Sequence, residues 1–413
     1  SGDGIKGLGS EAATVTDESV SASDLNTLNT NTDYNITVNA TAISGSLSDV
    51  STLYGNKAGD SDADTDGFTG LGNEAITLTD TGSIAASTLL TVAQANSSGT
   101  VDASNAGTIT GTAEQIIDAY DDSTITEASD VAMTVNTANS GTATLTQARS
   151  LDGLTTGVVT ATIADTALSD LLDDSTPLLD ANSNNAFTIT IGTGDAEITA
   201  ANLNSLNALT TVAIDATNVT QITGTVAAAN TVYTAGDNSE ISGLGNETVV
   251  ISGESSNTLS DASTLNTLDG NTTGTVNAGS LTTIQGALSD VLTAYASNGI
   301  TGLGNEAITL TDEGSISSTD LNTLDTKTSG AITTHTNLAT LTGTVAELNE
   351  AFGSEGSTAL GNEAVTITDT TLDAGDLNIL NNYTTGLVTA TSATTVTGTL
   401  ADVNAAYAAV ASN

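Results

Sequence analysis

The chain has 413 residues, of which 49 are acidic and four are basic, so its formal net charge at pH 7 is -45. A surface this acidic repels nucleic acid and anionic membranes, which excludes both as partners and favours cations. The chain has no cysteine, which excludes disulfides and thiol chemistry. It also lacks an apolar run of about 18 residues, so the sequence predicts no membrane insertion.

The organising feature of the sequence is the stretch Gly-Leu-Gly-Asn-Glu-Ala-Ile-Thr-Leu-Thr-Asp at 302–312. Close copies lie at 7–17, 70–80, 243–252 and 360–369, and weaker copies lie at 130–135 and 185–191. The period of about 59 residues predicts one elongated array of seven repeats. The repeats cover approximately 1–63, 64–123, 124–179, 180–236, 237–298, 299–355 and 356–413.

The first half of each repeat predicts a strand and then a short helix. At 75–80, apolar residues alternate with threonines, which is the pattern of a half-buried strand. The helix begins with a Ser-x-x-Asp spacing, as at Ser21 and Asp24, which suits an N-terminal cap. Leucines three positions apart, such as Leu265 and Leu268, give this helix one buried face.

The second half repeats this order with a longer helix. A strand such as 274–278 is followed by a short extended stretch that ends at glycine, as at 283–286, and then by the helix. Strand and helix units of similar length can stack as successive coils of a solenoid. The predicted fold is therefore an α/β repeat solenoid of parallel strands stacked in coils with short helices, with about two coils in each repeat.

An aromatic residue ends the second helix in six of the seven repeats, always eleven positions after an aliphatic strand residue. These aromatic residues are Tyr54, Tyr120, Tyr233, Tyr295, Phe352 and Tyr407. The regular spacing predicts rings stacked at equivalent places in successive coils. Tyr120, Tyr233 and Tyr295 are candidates for a glycan-binding platform, and a structural ladder that closes the coil edge is the interpretation that we favour.

The sharpest local motif is the acidic loop at 60–68. Asp62, Asp64 and Asp66 place oxygens at positions one, three and five, with glycine at position six, as in loops that wrap calcium. Position twelve carries asparagine, and Glu74 lies one residue further on. The sequence predicts calcium at Asp62, Asp64, Asp66 and Glu74, with a solvated acidic loop as the alternative.

Acidic residues also flank the first strand of most repeats, as Glu306 and Asp312 do. Like carboxylates stacked at the spacing of neighbouring coils repel one another unless backbone N–H groups or a shared divalent ion neutralise them. Calcium held by Glu306 and Asp312 is one prediction. Capping of a helix or turn is the other, and the sequence does not decide between them.

The repeat pattern also bears on two further activities, ice binding and catalysis. Thr-x-Thr pairs, such as Thr309 and Thr311, resemble the flat faces of ice-binding solenoids, although threonine is common on strand surfaces. His335 is the single histidine, so a Ser-His-Asp arrangement would depend on one isolated residue. A catalytic site is normally unique, whereas the notable features of this chain are copied, and we predict that it is not an enzyme.

Three segments carry a family resemblance, namely 302–312, the segment Asp-Leu-Asn-Thr-Leu-Asp at 320–325, and Thr-Gly-Thr-Leu-Ala-Asp-Val-Asn-Ala-Ala-Tyr at 397–407. They resemble the tandem repeats of very large cell-surface proteins of marine cyanobacteria, a group that includes a giant surface protein needed for swimming motility. In composition, that group is similar to surface-layer proteins and calcium-dependent adhesins. The resemblance implies an extracellular structural or adhesive role.

We therefore expect a non-enzymatic structural protein at the cell surface, part of a surface layer, a filament or a giant adhesin, and stabilised by calcium. Its expected partners are other copies of itself, neighbouring repeats of a longer chain, and surface glycans. A glycan- or surface-binding module, such as an adhesin or phage fibre, is the alternative. Both ends of the sequence stop at nearly the same phase of the repeat, so we expect a fragment of a longer protein.

Overall fold

The computed structural model describes residues 5–57, 67–136, 141–164, 167–172 and 184–410. Short strands alternate with short helices along these residues. The chain divides into two compact units, Ser1–Gly194 with Ser205–Asp215, and Asp195–Asn204 with Ala216–Asn413. Each unit has its own parallel sheets.

The strands are two to five residues long. In chain order they are β1 (Ala13–Val15), β2 (Ser19–Ser21), β3 (Ile36–Val38), β4 (Ala42–Gly45), β5 (Phe68–Thr69), β6 (Ala75–Leu78), β7 (Ser83–Ala85), β8 (Thr100–Asp102), β9 (Thr108–Gly111), β10 (Ile125–Thr126), β11 (Ala132–Val135), β12 (Thr142–Ala143), β13 (Val159–Ile163), β14 (Ala186–Thr188), β15 (Glu197–Thr199), β16 (Ile214–Asp215), β17 (Gln221–Gly224), β18 (Ile241–Ser242), β19 (Thr248–Ile251), β20 (Thr258–Leu259), β21 (Val276–Asn277), β22 (Thr283–Gly286), β23 (Ile300–Thr301), β24 (Ala307–Leu310), β25 (Ser315–Ser317), β26 (Ile332–Thr333), β27 (Thr340–Gly343), β28 (Ser357–Thr358), β29 (Ala364–Ile367), β30 (Thr371–Asp373), β31 (Val388–Thr389) and β32 (Thr395–Thr397).

The α-helices have four to twelve residues. In chain order they are α1 (Ala22–Asn29), α2 (Leu47–Gly55), α3 (Ala86–Ala95), α4 (Ala113–Asp121), α5 (Leu145–Leu154), α6 (Leu168–Leu171), α7 (Ala200–Asn207), α8 (Val226–Asp237), α9 (Ala262–Asn271), α10 (Leu288–Ala296), α11 (Ser318–Asp325), α12 (Val345–Gly353), α13 (Ala374–Tyr383) and α14 (Leu400–Ala408).

The first unit contains sheets with the strand orders β1-β3-β5, β10-β8-β6-β4-β2 and β12-β13-β11-β9-β7, and β14 also pairs with β13. The second unit contains sheets with the orders β15-β17-β19-β21-β23, β20-β22-β24-β26-β28, β25-β27-β29-β31 and β30-β32. All of these pairings are parallel, which requires a crossover between neighbouring strands. The stacked parallel strands with their short helices confirm the predicted α/β repeat solenoid.

The stacking step is 24 or 25 residues in the sheet that starts at β20. Leu259, Ile284, Ile308 and Ile332 occupy successive strands at the same height. This step is shorter than half of the repeat, so each repeat contains slightly more than two steps. Every repeat in this region starts a new sheet, first at β20, then at β25 and then at β30.

Aliphatic side chains fill the interior of the coils. Ile284, Ile308 and Ile332 are fully buried and form a ladder in register across three strands. The leucine pair of α9, Leu265 and Leu268, is fully buried as its spacing predicts. Alternation along the strands directs these groups inward and leaves the intervening residues on the outside.

Side-chain caps begin most of the helices. The predicted Ser-x-x-Asp start is confirmed in α1, where the Ser21 hydroxyl accepts the Asp24 N–H at 3.4 Å. In α12, Thr344 and Glu347 form a reciprocal capping box. Each cap satisfies a backbone N–H that has no partner within its helix, which stabilises helices only two or three turns long.

Asparagines tie each leucine helix to the helix of the following coil. Their side-chain amides donate to carbonyl oxygens in the first turn of that helix, at distances of 2.8 to 3.0 Å. The donors are Asn26, Asn204, Asn266, Asn322 and Asn378. The helices therefore stack through hydrogen bonds as well as apolar contacts.

One glycine position brings successive coils unusually close. Gly330 lies against the backbone of the preceding coil, and a methyl group added there would overlap with the carbonyl oxygen of Glu306. Gly274 and Gly386 occupy equivalent positions against Glu247 and Glu363. A side chain at these positions would force the coils apart.

We predict that Gly330→Ala lowers the free energy of unfolding by about 1–3 kcal/mol, because the added methyl group overpacks a contact between backbones. Gly314→Ala is the matched control, since nothing lies within 4 Å of the added group. Denaturant unfolding followed by circular dichroism measures both. Equal midpoints for the two variants would contradict the close approach.

Candidate functional site: the buried glutamate junctions

Each junction starts from the turn that the Gly-Leu-Gly-Asn-Glu motif forms before a strand. Gly304 has a φ of 147°, in the region that favours glycine, and this conformation turns its N–H toward the side chain two residues ahead. Glu306 Oε2 accepts the N–H groups of Gly304 at 2.8 Å and of Asn305 at 3.2 Å. The turn thus wraps around its own carboxylate.

A tyrosine from the preceding helix adds a donor to the same carboxylate oxygen. Tyr295, near the end of α10, donates its hydroxyl to Glu306 Oε2 at 2.6 Å. The equivalent bonds are Tyr54 to Glu74 at 2.5 Å and Tyr233 to Glu247 at 3.0 Å. One oxygen of each glutamate therefore joins a helix end to the start of the next strand.

The side chain of a threonine from the following coil binds the backbone carbonyl group of the same glutamate. Thr328 Oγ1 donates to the carbonyl oxygen of Glu306 at 2.7 Å and accepts the Gly330 N–H at 3.0 Å. Thr272 and Thr384 make the same pair of bonds in their repeats. Each junction consequently connects consecutive segments of the solenoid.

The junctions are closed to solvent. Glu74, Glu247 and Glu306 are fully buried, and Oε1 of each is buried with no hydrogen-bond partner among the described residues. Burial first, and then the hydrogen bond to the glutamate, raises the pKa of Tyr54 and of Tyr295 well above its ordinary value of 10.0. The phenols therefore stay protonated and act as donors over the whole physiological pH range.

The third repeat lacks the usual glutamate. Val131 occupies its position, and the hydroxyl of Tyr120 is buried without a partner among the described residues. Glu127 lies nearby, and burial above all, with the charge of Asp122 adding to it, raises the pKa of its carboxyl to about 7. The uncharged form of Glu127 is therefore favoured beside the hydroxyl of Tyr120.

The seventh repeat keeps the glutamate, but the aromatic residue of the preceding helix lacks the hydroxyl. Glu363 Oε2 still accepts the N–H groups of Gly361 at 2.8 Å and Asn362 at 3.1 Å. Phe352 replaces tyrosine and stacks on Tyr383, with ring centroids 6.2 Å apart. The turn around the carboxylate therefore forms without the phenol.

The candidate glycan-binding tyrosines lie mostly inside the junctions. Tyr233 is only 4% exposed, and Tyr120 and Tyr295 are half-buried. The hydroxyl groups of Tyr233 and Tyr295 are bound to glutamates rather than directed to the surface. This geometry favours the structural ladder over a glycan-binding platform.

The acids predicted to bind calcium have protein partners where they are described. Asp312 accepts the N–H of Leu288, at the start of α10, at 2.8 Å, which is the capping alternative. Asp80 and Asp369 cap α2 and α12 in the same way at 2.7 Å. Calcium at Glu306 and Asp312 stays a prediction.

The acidic loop predicted to bind calcium lies largely outside the residues that the structure describes. Asp62, Asp64 and Asp66 lie outside the described residues, and Glu74 belongs to the junction with Tyr54. Within the described ranges, no three His, Cys, Asp or Glu side chains are grouped so that they could hold a metal ion. Calcium at the loop therefore also stays a prediction.

The structure also places Thr309, from the proposed ice-binding pairs, and His335, the single histidine. Thr309 lies between Gln285 and Thr333 on neighbouring strands, so its row is not made of threonine alone. His335 accepts the N–H of Asn337 at 3.1 Å through Nδ1, and its Nε2 lies 3.9 Å from Glu313. These contacts describe an exposed turn and an outer strand surface.

Comparison with protein-family models, curated proteins and solved structures gives no match for this chain. Among the residues that the structure describes, no helix is long and apolar enough to cross a membrane. Function is therefore inferred from the geometry of the junctions and from the sequence pattern.

We predict that Tyr295→Phe lowers the free energy of unfolding by about 1.5–3 kcal/mol, because a buried carboxylate loses a donor. Phe352→Tyr should raise stability by supplying the hydroxyl that Glu363 lacks. Tyr34→Phe is the control, since Tyr34 is exposed. Denaturant midpoints measure all three, and a Tyr295→Phe value equal to that of Tyr34→Phe would be evidence against the bond.

We predict that Glu127→Gln raises the melting temperature at about pH 8 and leaves it nearly unchanged at about pH 4. The folded pKa of Glu127, about 7, lies above its ordinary value of 4.5, so its contribution to stability is present at low pH and is lost as pH rises through 7. Glu114→Gln, on the exposed side of α4, is the control. Parallel pH profiles for the wild type and Glu127→Gln would show that Glu127 is not the titrating group.

Proposed function

We propose that this chain is a non-enzymatic structural segment of an extracellular surface protein, with a mechanical role in spacing, coating or adhesion. The observation that carries the proposal is the repeated junction, in which Tyr295 and Thr328 each donate a hydrogen bond to Glu306 from different segments. Groups that an enzyme would direct to a substrate are used here to hold the solenoid together. The asparagine and aspartate contacts between coils extend the same use of polar groups.

The proposed location follows from the sequence resemblance and the composition. The repeats resemble those of giant surface proteins of marine cyanobacteria. A net charge of -45 keeps such a chain soluble and makes neighbouring copies repel one another. The cations of calcium-rich water would screen this repulsion. We propose a surface layer, a filament or a giant adhesin as the assembly to which this segment belongs.

Calcium at the acidic loop is part of the proposal. Asp62, Asp64 and Asp66 supply side-chain oxygens at alternate positions, which suits a hard cation. Glu74 Oε2 is already bound by the Gly72 N–H at 2.8 Å and by Tyr54, so we assign Glu74 to the junction. The ligands beyond the three aspartates would then come from the loop backbone and water.

We predict that millimolar calcium raises the melting temperature above its value in chelator, because a ligand that binds only the folded state stabilises it. The triple variant Asp62→Asn, Asp64→Asn, Asp66→Asn should lose most of this rise. Sodium chloride of equal ionic strength is the control for screening. An equal rise with sodium, or an unchanged rise in the triple variant, would remove the loop from the proposal.

The location is tested with antibodies raised against the chain and applied to cells of its source organism. We expect immunogold label on intact cells, because a surface segment is accessible without permeabilisation. Label that appears only in permeabilised cells would contradict an extracellular role. A cytoplasmic protein stained on the same cells controls for leakage.

A further inference from the structure

A polar cleft lies between α2 and α3, which are neighbouring helices of the first unit. Its volume is about 350 Å³, and small-molecule sites have volumes of about 300–1,000 Å³. Leu47 and Ile84 line the cleft as its apolar floor, and they are 5% and 3% exposed. The walls carry hydroxyl groups, which belong to Ser48, Ser51, Ser83 and Thr88.

The polar groups of the cleft are available to a ligand. Asp80 Oδ2 accepts the N–H of Leu47 at 2.7 Å, and its Oδ1 has no hydrogen-bond partner among the described residues. The four hydroxyl groups form no hydrogen bond within that part of the chain either. A ligand in the cleft therefore meets a carboxylate acceptor and hydroxyl groups that both donate and accept.

The position of Ser51 carries a larger side chain in other repeats. It corresponds to Asn230 in α8 and Asn349 in α12, whose amides donate to carbonyl oxygens of the next helix at 2.9 and 3.0 Å. Leu292 in α10 and Ile117 in α4 occupy the same position. Serine is shorter than all of these residues, so the space beside it stays open.

The first turn of α3 lacks a cap that the equivalent helices have. Ala85 precedes α3 and forms no side-chain cap, whereas Ser317 Oγ accepts the N–H of Asp320 in α11 at 3.3 Å. Thr88 corresponds to Asp320, so its N–H has no such acceptor. The equivalent helices are capped by Ser21, Thr144, Thr199, Asp261, Ser317 and Asp373.

The charges around the cleft select a neutral ligand. Asp49 and Asp80 lie at the start of α2, and the net charge of the chain is -45, so an anion is repelled. Calcium takes about 6–8 oxygen ligands, several of them from carboxylates. Among the described residues that line the cleft, Asp80 supplies the only carboxylate. The positive end of the α3 dipole disfavours a cation further.

We propose that this cleft binds one neutral sugar ring. One ring hydroxyl donates to Asp80 Oδ1, and another accepts the N–H of Thr88. The C–H face of the ring packs on Leu47 and Ile84. A free monosaccharide and the terminal sugar of a glycan share this chemistry. Sugar binding is an activity in addition to the structural role proposed above, and that role does not depend on it.

Saturation-transfer difference NMR on the whole chain tests the proposal. The probes are glucose, galactose and mannose, each as the free sugar and as its methyl glycoside, which carries the linkage of a terminal sugar. We expect saturation transfer to at least one probe, with a Kd of about 1 mM because the cleft is open and forms few hydrogen bonds. Binding of a methyl glycoside supports a terminal sugar, and binding of free sugars alone supports a monosaccharide. No transfer to any of these probes would overturn the proposal.

The place of binding is tested by filling the cleft. Ser51→Asn introduces the side chain that α12 carries at this position, and it should weaken binding by at least about tenfold. Ser87→Asn is the matched control, because Ser87 is an exposed residue of α3 that does not line the cleft. It should bind as the wild type does. An unchanged affinity in Ser51→Asn would overturn the proposal by placing the sugar elsewhere.

A second variant separates binding from folding. Ala85→Ser supplies the cap that α11 has, so it should raise the melting temperature. Its hydroxyl takes the N–H of Thr88, so it should also weaken binding by at least about threefold. The uronic acid of the bound sugar should bind at least about tenfold more weakly, because its carboxylate meets Asp80 and Asp49. Equal affinity for the sugar and its uronic acid would contradict a neutral ligand at this cleft.

Discussion

Consecutive segments of the solenoid are held together by the burial of one carboxylate, which recurs as Glu74, Glu247, Glu306 and Glu363. A carboxylate removed from water is costly unless donors replace the solvent around it. At Glu306 the donors are two N–H groups of its own turn and the hydroxyl of Tyr295. The helix end, the turn and the strand must therefore meet in one arrangement, and a coil shifted along its neighbour would leave the charge unpaired.

The other repeated contacts follow from that arrangement. Glycine is required at Gly330 because the bend before β26 passes the carbonyl group of Glu306, and Thr328 binds that same carbonyl group. Oε1 of the glutamate has no partner among the described residues, and a buried unsatisfied polar atom costs about 1–3 kcal/mol. We infer that the carboxylate serves the register of the coils more than their stability, as a buried asparagine does in some coiled coils.

Much of the fold could be predicted from the sequence because its signals are local. The strand at β24, the Ser21 cap and the leucine pair of α9 depend on alternation, short spacings and helical periodicity. The hydrogen bond between tyrosine and glutamate could not be predicted from the sequence. The two residues are 11 positions apart in one repeat and 14 and 20 apart in two others. The spacing between paired strands could not be predicted either. The sequence period gives the length of the repeat, but it does not show which two strands pair. Asp312 illustrates a third limit, since its partner at Leu288 lies in the preceding coil.

The most direct test of this central role is a double-mutant cycle on one junction. The free energy of unfolding is measured for the wild type, Tyr295→Phe, Glu306→Gln and the double variant. If the junction holds the coils in register, we expect a coupling energy between Tyr295 and Glu306 of about 1–3 kcal/mol. The reason is that either side chain stabilises the fold only while the other is present. Additive effects, within about 0.3–0.5 kcal/mol, would show that the two side chains act independently and that the carboxylate does not organise the fold.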